Sequence, residues 1–163
     1  MAEETEIRSA ADAAAHAGIQ AFGVLLDTAA LMERLFGSRL QEECGITHSM
    51  FEVLLHLADS PEGARMSRLS QDLILTSGGA TRLVDRMVGA ALVRRTRSAD
   101  DGRVQTVVMT EEGERVLIRA ARLHAQQLDE HFYGPLSGSQ AAVMTAALDR
   151  LGQHARTVLP TLR

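Results

Sequence analysis

The sequence predicts a mainly α-helical fold with one small β-hairpin. Apolar residues recur at three- and four-residue spacing along most of the chain, which indicates amphipathic helices. Residues 92–97 and 104–109 instead alternate with a period of two, which is typical of strands, and the segment that separates them is short and charged. We therefore expect long helices towards both ends of the chain and a compact unit with the hairpin between them.

The length and composition indicate one globular domain or two tightly fused lobes. At 163 residues, roughly 70% of the surface of the unfolded chain can be buried. Aromatic residues make up only 3%, with no Trp, which nearly excludes an aromatic platform for single-stranded nucleic acid. No apolar run approaches the ~20 residues of a membrane span, and the acidic start lacks an apolar signal region. Together with a single Cys, these features predict a cytoplasmic protein.

The net charge of −4 conceals a basic block in the middle of the sequence. Residues 61–110 hold eight Arg against five acidic residues, a net charge of +3, whereas the remainder of the chain carries −7. Every basic residue is Arg, whose planar guanidinium can contact phosphate or guanine through two hydrogen bonds. The block suits a polyanionic partner, although genomic base composition is an alternative reason for the absence of Lys.

The first long helix is predicted to span about 30 residues and to end near Cys44. This length exceeds the usual mean for globular proteins, so part of its apolar face is expected to pack against something other than its own domain. Its apolar positions are Ile19, Phe22, Leu25, Leu26, Ala29, Met32, Phe36 and Leu40.

A second helix is predicted to begin after Thr47, whose hydroxyl can cap the free amides of the first turn. Ile46 and Phe51 have the spacing of a hydrophobic staple around that cap. The expected buried face consists of Phe51, Leu54, Leu55 and Ala58. Pro61 and Gly63 then favour a turn.

Two short helices are predicted to follow in close succession. Ser67 is expected to cap the first and Thr76 the second. The buried side of the second helix is predicted to be Ala80, Leu83, Val84 and Met87, and its opposite side presents Gly78, Thr81, Arg82, Asp85 and Arg86. A polar helix that carries Arg and has no bulky side chain in its first turn suits the DNA major groove, which is about 12 Å wide. A merely solvated face is the alternative.

The predicted hairpin has a charged tip at residues 98–103. Arg103 at this tip suits the narrow, electronegative minor groove beside a recognition helix. Asp101 is expected to hold that guanidinium, or a neighbouring one, in position. Alternation along the first strand puts Arg95 and Arg97 on one side and Arg94 on the other.

Two long helices are predicted to complete the chain. Thr110 is expected to cap the first of them, which is predicted to run to about Phe132. The glutamates in its first turn interact favourably with the positive end of the helix dipole. Gly134 and Pro135 end it. Ser137 and Gln140 have the spacing of a capping box at the start of the last helix.

Two short helices followed by a basic hairpin form a winged helix-turn-helix pattern. The segment LSQDLILTSGGATRLVDRMVGAALVRRTRSADDGRVQTVVMTEEG resembles the MarR (multiple antibiotic resistance regulator) family, and THSMFEVLLHLADSPEG before it is similar to that family's second helix. The likeness covers residues 46–120 in motif detail and the whole chain in element order. It implies a homodimeric regulator, in our reading a repressor, that binds double-stranded DNA at a pseudo-palindromic operator. It also implies that a small-molecule effector can bind at the junction of two lobes, and a constitutive regulator without an effector is the alternative.

The resemblance assigns roles by position. It implies that the recognition helix and the wing use Ser77, Gly78, Gly79, Thr81, Arg82, Arg86, Asp101 and Arg103. We expect Thr81, Arg82 and Arg86 to read base edges, and Arg68 and Arg95 to contact phosphates. The expected division is a tail and dimerisation helix at residues 1–45, a DNA-binding lobe at 46–110 and dimerisation helices at 111–163.

Two residues depart from the family pattern. Gly102 occupies a position where the family often has another Arg, which weakens the expected contact of the wing. Ala91 replaces the Gly that usually ends the recognition helix, so we expect the helix exit to shift to Gly89.

Other classes of function have less support in the sequence. It lacks a P-loop Lys, a G-x-S-x-G elbow and an H-E-x-x-H pair, so we predict no catalytic residues and no cofactor. A winged helix that binds proteins instead of DNA remains an alternative. A redox- or metal-responsive regulator is another, but Cys44 has no neighbouring cation in sequence and no His pair has i, i+4 spacing. We therefore expect a structural thiol and no metal site.

Overall fold

The computed structural model describes residues 6–73, 76–97 and 105–159. These residues form seven α-helices and a three-stranded antiparallel sheet, so the predicted mainly α-helical fold class is confirmed. The helices are α1 (Ala10–Ala15), α2 (Ala17–Cys44), α3 (His48–Ala58), α4 (Met66–Asp72), α5 (Ser77–Gly89), α6 (Glu111–Gln127) and α7 (Gly138–Val158), with a π-helical turn (Leu128–Tyr133) after α6. The strands are β1 (Ala64–Arg65), β2 (Val93–Arg97) and β3 (Gln105–Met109). Within the described ranges, no helix combines the length and apolar character that a membrane span needs.

The sheet contains the predicted hairpin and one strand that the sequence did not predict. β2 and β3 pair in antiparallel register, with Val93 opposite Met109, and β1 pairs with the other edge of β3. A strand of two residues is too short to show a period of two. Gly63, just before β1, adopts φ +91°, and a Cβ there would lie 2.7 Å from the Val107 carbonyl oxygen. This close approach explains the glycine at the turn.

The buried core joins α3, α5 and the sheet to the end of α2 and the first half of α6. Its fully buried members include Leu40, Leu54, Leu57, Met87, Val93 and Val107. The N-terminal half of α2 contributes nothing to this core, because its buried residues are confined to Phe36, Leu40 and Cys44. The apolar side chains of the N-terminal half of α2 are therefore exposed within the described chain, and what packs against them stays a prediction.

The predicted side-chain caps are present at four helices. Thr47, Thr76 and Thr110 accept a hydrogen bond from the third residue of α3, α5 and α6, and Ser137 and Gln140 form a complete capping box at α7. The predicted cap at Ser67 is wrong. The N-cap of α4 is Arg65, two residues before Ser67, because β1 leads directly into the helix, and Arg65 makes no side-chain cap hydrogen bond.

The buried face of α3 differs in part from the prediction. Phe51 and Leu54 are buried as expected, but Leu55 is 43% exposed and Ala58 is exposed. The core instead takes Met50, Val53 and Leu57. These residues lie on one face with Leu54, whereas Leu55 is about 100° further around the helix.

The exit of α5 also differs from the prediction. The helix does end at Gly89, but the left-handed conformation falls on Ala91 itself, at φ +57°, and not on a glycine. The Leu92 amide donates to the Met87 carbonyl at 2.9 Å, as in a helix end that normally uses glycine at this position. Ala91 is thus held in a backbone region that costs an L-residue about 1 kcal/mol or more.

We predict that Ala91→Gly stabilises the protein by about 0.5 to 1 kcal/mol, because relief of the left-handed strain outweighs the extra chain entropy of glycine. Urea unfolding at fixed protein concentration measures the change. Ala90→Gly is the matched control, since Ala90 has an ordinary φ of −87° and should lose stability when replaced. Equal effects of the two substitutions would contradict this account.

Candidate nucleic-acid interface

Helix α5 has one buried side and one open side. Ala80, Leu83, Val84 and Met87 pack into the core, as the sequence predicted. This packing turns Arg82, Asp85 and Arg86 outward, where all three are exposed. Together with Gly79 and Leu83 they line a shallow depression on the outer surface. We call the outward residues Arg82, Asp85 and Arg86 the α5 face.

The first turn of α5 is slim and has free backbone amides. Thr76 Oγ1 accepts a hydrogen bond from the Gly79 amide at 3.1 Å, which leaves the amides of the two residues before it without a helical partner. A Cβ added at Gly78 would meet nothing within 4 Å among the described atoms. The backbone at this end can therefore approach another molecule closely. The side chain of Ser77 lies outside the described residues, and Thr81 is exposed on the next turn.

Arg82 and Arg86 lie one turn apart on the α5 face. No ion pair or hydrogen bond to either guanidinium is found within residues 6–73, 76–97 and 105–159. Both side chains are exposed, so their charges are hydrated and available to an incoming anion. The two residues thus concentrate positive charge on the side of α5 that faces away from the core.

Arg95, whose contact with phosphate stays a prediction, forms an ion pair with Asp85 in the free chain. Its Nη1 atom lies 2.7 Å from Asp85 Oδ1, so strand β2 is tied to the α5 face. Both side chains are partly exposed, so the pair contributes little to stability. The pair places the Arg95 guanidinium against the outward side of α5. The sequence indicated this ion pair only through the opposite charges of Asp85 on the helix and Arg95 on the strand that follows it.

Arg68, the other expected phosphate contact, also has a carboxylate partner. It lies on α4, and its Nε atom donates to Asp72 on the next turn. His56 Nδ1 of α3 lies 3.9 Å from the same carboxylate. The guanidinium is nevertheless strongly exposed, so it remains accessible from the side of α4.

The two wing residues assigned from the sequence, Asp101 and Arg103, lie outside the described residues, as does Gly102. The arms of the hairpin are described up to Arg97 and from Gln105. They are joined by a hydrogen bond of 2.8 Å between the hydroxyls of Thr96 and Thr106, which face each other across the strands. The arms leave the core next to α5, on the side of the Asp85–Arg95 pair.

The fold brings together two histidines that the sequence spacing kept apart. His48 of α3 and His124 of α6 have ring centroids 5.5 Å apart, and Phe36 and Phe51 pack against His124. Spacing along the sequence could not predict this contact, because it depends on the packing of three helices. Among the described residues, no group of three or more His, Cys, Asp or Glu is arranged to hold a metal ion.

The redox alternative gains no geometric support from Cys44. The thiol is free and buried at the end of α2, and the guanidinium of Arg119 donates to the Cys44 backbone carbonyl at 3.3 Å, not to the sulfur. Burial in apolar surroundings disfavours the thiolate, which is the nucleophilic form.

Comparisons with known proteins match both the sequence and the fold. A model of the MarR family matches residues 45–104. The HTH-type transcriptional regulator MhqR of Bacillus subtilis is 30% identical over 108 residues, which cover 66% of this chain and 71% of MhqR. The transcriptional regulator HosA of Escherichia coli O127:H6 is 33% identical over 95 residues, 58% of this chain and 69% of HosA.

A solved structure extends the likeness to nearly the whole chain. The crystal structure of Sco3205, a MarR family transcriptional regulator from Streptomyces coelicolor in complex with DNA, superposes with a TM-score of 0.80 at 26% identity. The match covers 90% of this chain and 98% of Sco3205. The arrangement of the long helices around the hairpin unit is therefore shared with a protein whose structure includes DNA.

Proposed function

The chain belongs to the MarR family of transcriptional regulators, and we propose that it binds double-stranded DNA in a sequence-specific manner, as a homodimer that represses its target genes. The observation that carries the proposal is the α5 face, where two exposed guanidiniums stand side by side without carboxylate partners among the described residues. Planar guanidiniums match the acceptor pairs of guanine in the major groove. In this proposal Arg82 and Arg86 read bases, with Thr81 beside them.

The first turn of α5 is proposed to hold the phosphate backbone. Its free amides and the positive end of the helix dipole favour an anion, and the absence of side chains at Gly78 and Gly79 lets a phosphate come close. Ser77 and Arg68 are proposed to contribute further phosphate contacts. Such contacts set the register of the protein on the duplex but do not distinguish sequences.

The hairpin is proposed to follow the recognition helix onto the DNA. Asp85 ties Arg95 to the α5 face, so both elements approach the duplex as one unit. A phosphate can also compete with Asp85 for the Arg95 guanidinium once α5 lies in the groove. Arg103, held by Asp101, is proposed to enter the adjacent minor groove.

Unpaired apolar surface on the long helices supports the homodimer. No residue of α7 is buried within the described chain, although its 21 residues include several exposed aliphatic side chains. A helix of this composition is not stable without a partner for its apolar face. The exposed apolar residues are Ile19, Phe22, Val24, Leu25, Leu26, Leu31 and Leu35 on α2 and Val143, Leu148, Leu151 and Val158 on α7. We propose that a second copy covers them, with residues 1–45 and 111–163 forming the dimerisation part and 46–110 the DNA-binding lobe.

Control by an effector follows from the same arrangement. The long helices of a dimer would set the distance between its two α5 helices, and a small molecule that prefers one distance would shift the population towards or away from the DNA-binding form. Salt dependence distinguishes this proposal from a protein-interaction adaptor. If the arginines of the α5 face bind DNA, the affinity must fall steeply as the salt concentration rises, whereas the affinity of an adaptor for its partner need not.

The test combines DNA selection with sedimentation. Duplexes selected from a random library should contain two related half-sites about 10 bp apart, centre to centre. Their affinity for the protein should fall linearly on a log–log plot against salt concentration. Sedimentation should show a dimer that Leu151→Glu dissociates. A parent protein that is only monomeric, or that binds no duplex at low salt, would overturn the proposal.

A further inference from the structure

We propose that the cluster of His48 and His124, at the meeting point of α2, α3 and α6, is a proton-operated switch that weakens DNA binding in mildly acidic solution. The inference rests on the proposed function for its readout on DNA, but not for its effect on the folded chain. It concerns neither the α5 face nor the hairpin. We call the group of Phe36, His48, Phe51 and His124 the junction cluster.

The junction cluster is a set of rings in direct contact. The His124 ring meets Phe36 edge-on at 5.2 Å and Phe51 at 5.1 Å between centroids, and its centroid lies 5.5 Å from that of His48. His48 in turn stacks on Phe51 at 6.3 Å. The two phenylalanines are almost fully buried. One half-buried imidazole of α6 therefore contacts rings from both α2 and α3.

The side of α6 at this junction carries polar atoms with no partner. His124 Nδ1 is buried and has no hydrogen-bond partner in the described structure, and neither polar atom of the Gln127 side chain has one. Gln127 lies one turn after His124, is only 5% exposed and directly precedes the π-helical turn. A buried polar group without a hydrogen-bond partner destabilises the packed state that buries it. The junction is thus less stable than an apolar one and easier to open.

A proton on His124 would have no counter-charge. The groups that face it are His48 from α3 and, beyond His48, Glu33 from α2, whose carboxylate lies 3.5 Å from His48 Nδ1. Glu33 can therefore compensate a charge on His48, while no carboxylate within the described residues forms an ion pair with His124. If His48 carried a proton, a proton on His124 would put a second positive charge beside it and against the rings of Phe36 and Phe51.

The direction of the titration agrees with this geometry. Burial lowers the pKa of His124 below its ordinary value of 6.5, and the neighbouring His48 lowers this pKa further. The unfolded chain therefore takes up this proton at a higher pH than the folded chain does. The stability associated with neutral His124 is fully present above about pH 6.5. It declines as the pH falls from there to the lowered pKa of the folded state.

The junction cluster connects the long helices to the recognition helix. His48 and Phe51 lie in the first two turns of α3, and further along the same helix Leu54 and Leu57 share one core with Leu83 and Met87 of α5. A proton on His124 disfavours the contact of α6 with the start of α3. Because packed helices move as units, displacement of α3 would reorient α5 relative to the long helices. The proton thereby favours conformers that do not fit the DNA.

The first part of the test measures the switch without DNA. Proton NMR of the imidazole resonances should give a titration midpoint for His124 below 6.5, and His48→Gln should raise that midpoint because it removes the neighbouring charge. The free energy of unfolding of the parent should fall between about pH 7.5 and pH 5.5 more than that of His124→Phe, which keeps the ring contacts but cannot titrate. A midpoint at or above 6.5, or one that His48→Gln does not move, would overturn the switch.

The second part measures binding to the selected duplex over the same pH range. The affinity of the parent should fall by about fivefold or more relative to His124→Phe. His131→Gln, which removes a partly exposed histidine of the π-helical turn after α6, is the matched control and should behave like the parent. Binding at neutral pH with no such difference would reject the switch and leave the proposed function standing. No binding at any pH would reject the proposed function, and the midpoints and unfolding data would still decide whether His124 is a proton switch.

Discussion

Gly113→Ala is expected to destabilise the folded chain by about 2 to 3 kcal/mol, although alanine favours helices over glycine by about 1 kcal/mol. Gly113 is buried in the first turn of α6. A Cβ at this position would lie 2.1 Å from the Leu92 carbonyl oxygen and 3.0 Å from Met109 Cγ. The clash with Leu92 involves backbone, so it cannot be relieved by a side-chain rotation. Helix α6 would have to move away from the end of α5.

The affected contact joins the exit of α5 to the start of α6. Thr110 accepts a hydrogen bond from the Gly113 amide at 3.0 Å and donates its hydroxyl to the Ala91 carbonyl at 2.7 Å. Its own amide donates to the Leu92 carbonyl at 3.1 Å. One residue thus caps α6 and ties down the turn that follows the recognition helix. Displacement of α6 breaks these bonds together, so DNA affinity should fall along with stability.

Urea unfolding at fixed protein concentration measures the effect of Gly113→Ala, since the stability of a dimer depends on concentration. The matched control is Gly89→Ala at the end of α5, where an added Cβ meets no described atom within 4 Å. That substitution should be neutral or stabilising. A Gly113→Ala protein as stable as the parent would show that α6 does not pack against Leu92 as described.

The features that could be predicted from the sequence are those that depend on neighbouring residues. The caps at Thr47, Thr76 and Thr110 and the capping box at Ser137 lie within four residues of the amides they bind, so their spacing identified them. The buried side of α5 followed from helical periodicity for the same reason. Where another element intervenes, as β1 does before α4, the local signal at Ser67 was misleading.

The features that could not be predicted depend on packing between distant segments. Ala91 adopts a left-handed conformation because Leu92 and Thr110 lock the turn, and nothing within the helix sequence shows that constraint. The Asp85–Arg95 pair and the contact between His48 and His124 likewise join different elements. The sequence could supply the chemical types of these residues but not the distances between them.

The roles of the individual arginines stay predictions for the same reason. Helical spacing was sufficient to place Arg82 and Arg86 on the side of α5 opposite the core. It could not distinguish them from Arg68 and Arg95, which turn out to have carboxylate partners in the free chain. Because a carboxylate competes with phosphate for the guanidinium, the unpaired arginines are expected to contribute more to DNA binding than the paired ones.

Arg82→Ala and Arg86→Ala are each expected to weaken binding to the selected duplex by about 1 to 3 kcal/mol. The loss should be concentrated at defined base positions, because a guanidinium that donates hydrogen bonds to both N7 and O6 of guanine discriminates against other bases. The double variant should lose at least as much as the more severe single variant. The two residues lie one turn apart, so their effects need not add.

Competition binding against duplexes with single base changes measures this discrimination, and repetition across salt concentrations separates base contacts from phosphate contacts. Loss of a base contact leaves the salt dependence unchanged, whereas loss of a phosphate contact lowers its slope by about 1 and weakens all sequences alike. Arg122→Ala, an exposed residue of α6, removes the same charge away from α5 and should change neither quantity appreciably. Equal losses in Arg122→Ala and Arg82→Ala would mean that net charge, and not the α5 face, determines DNA binding.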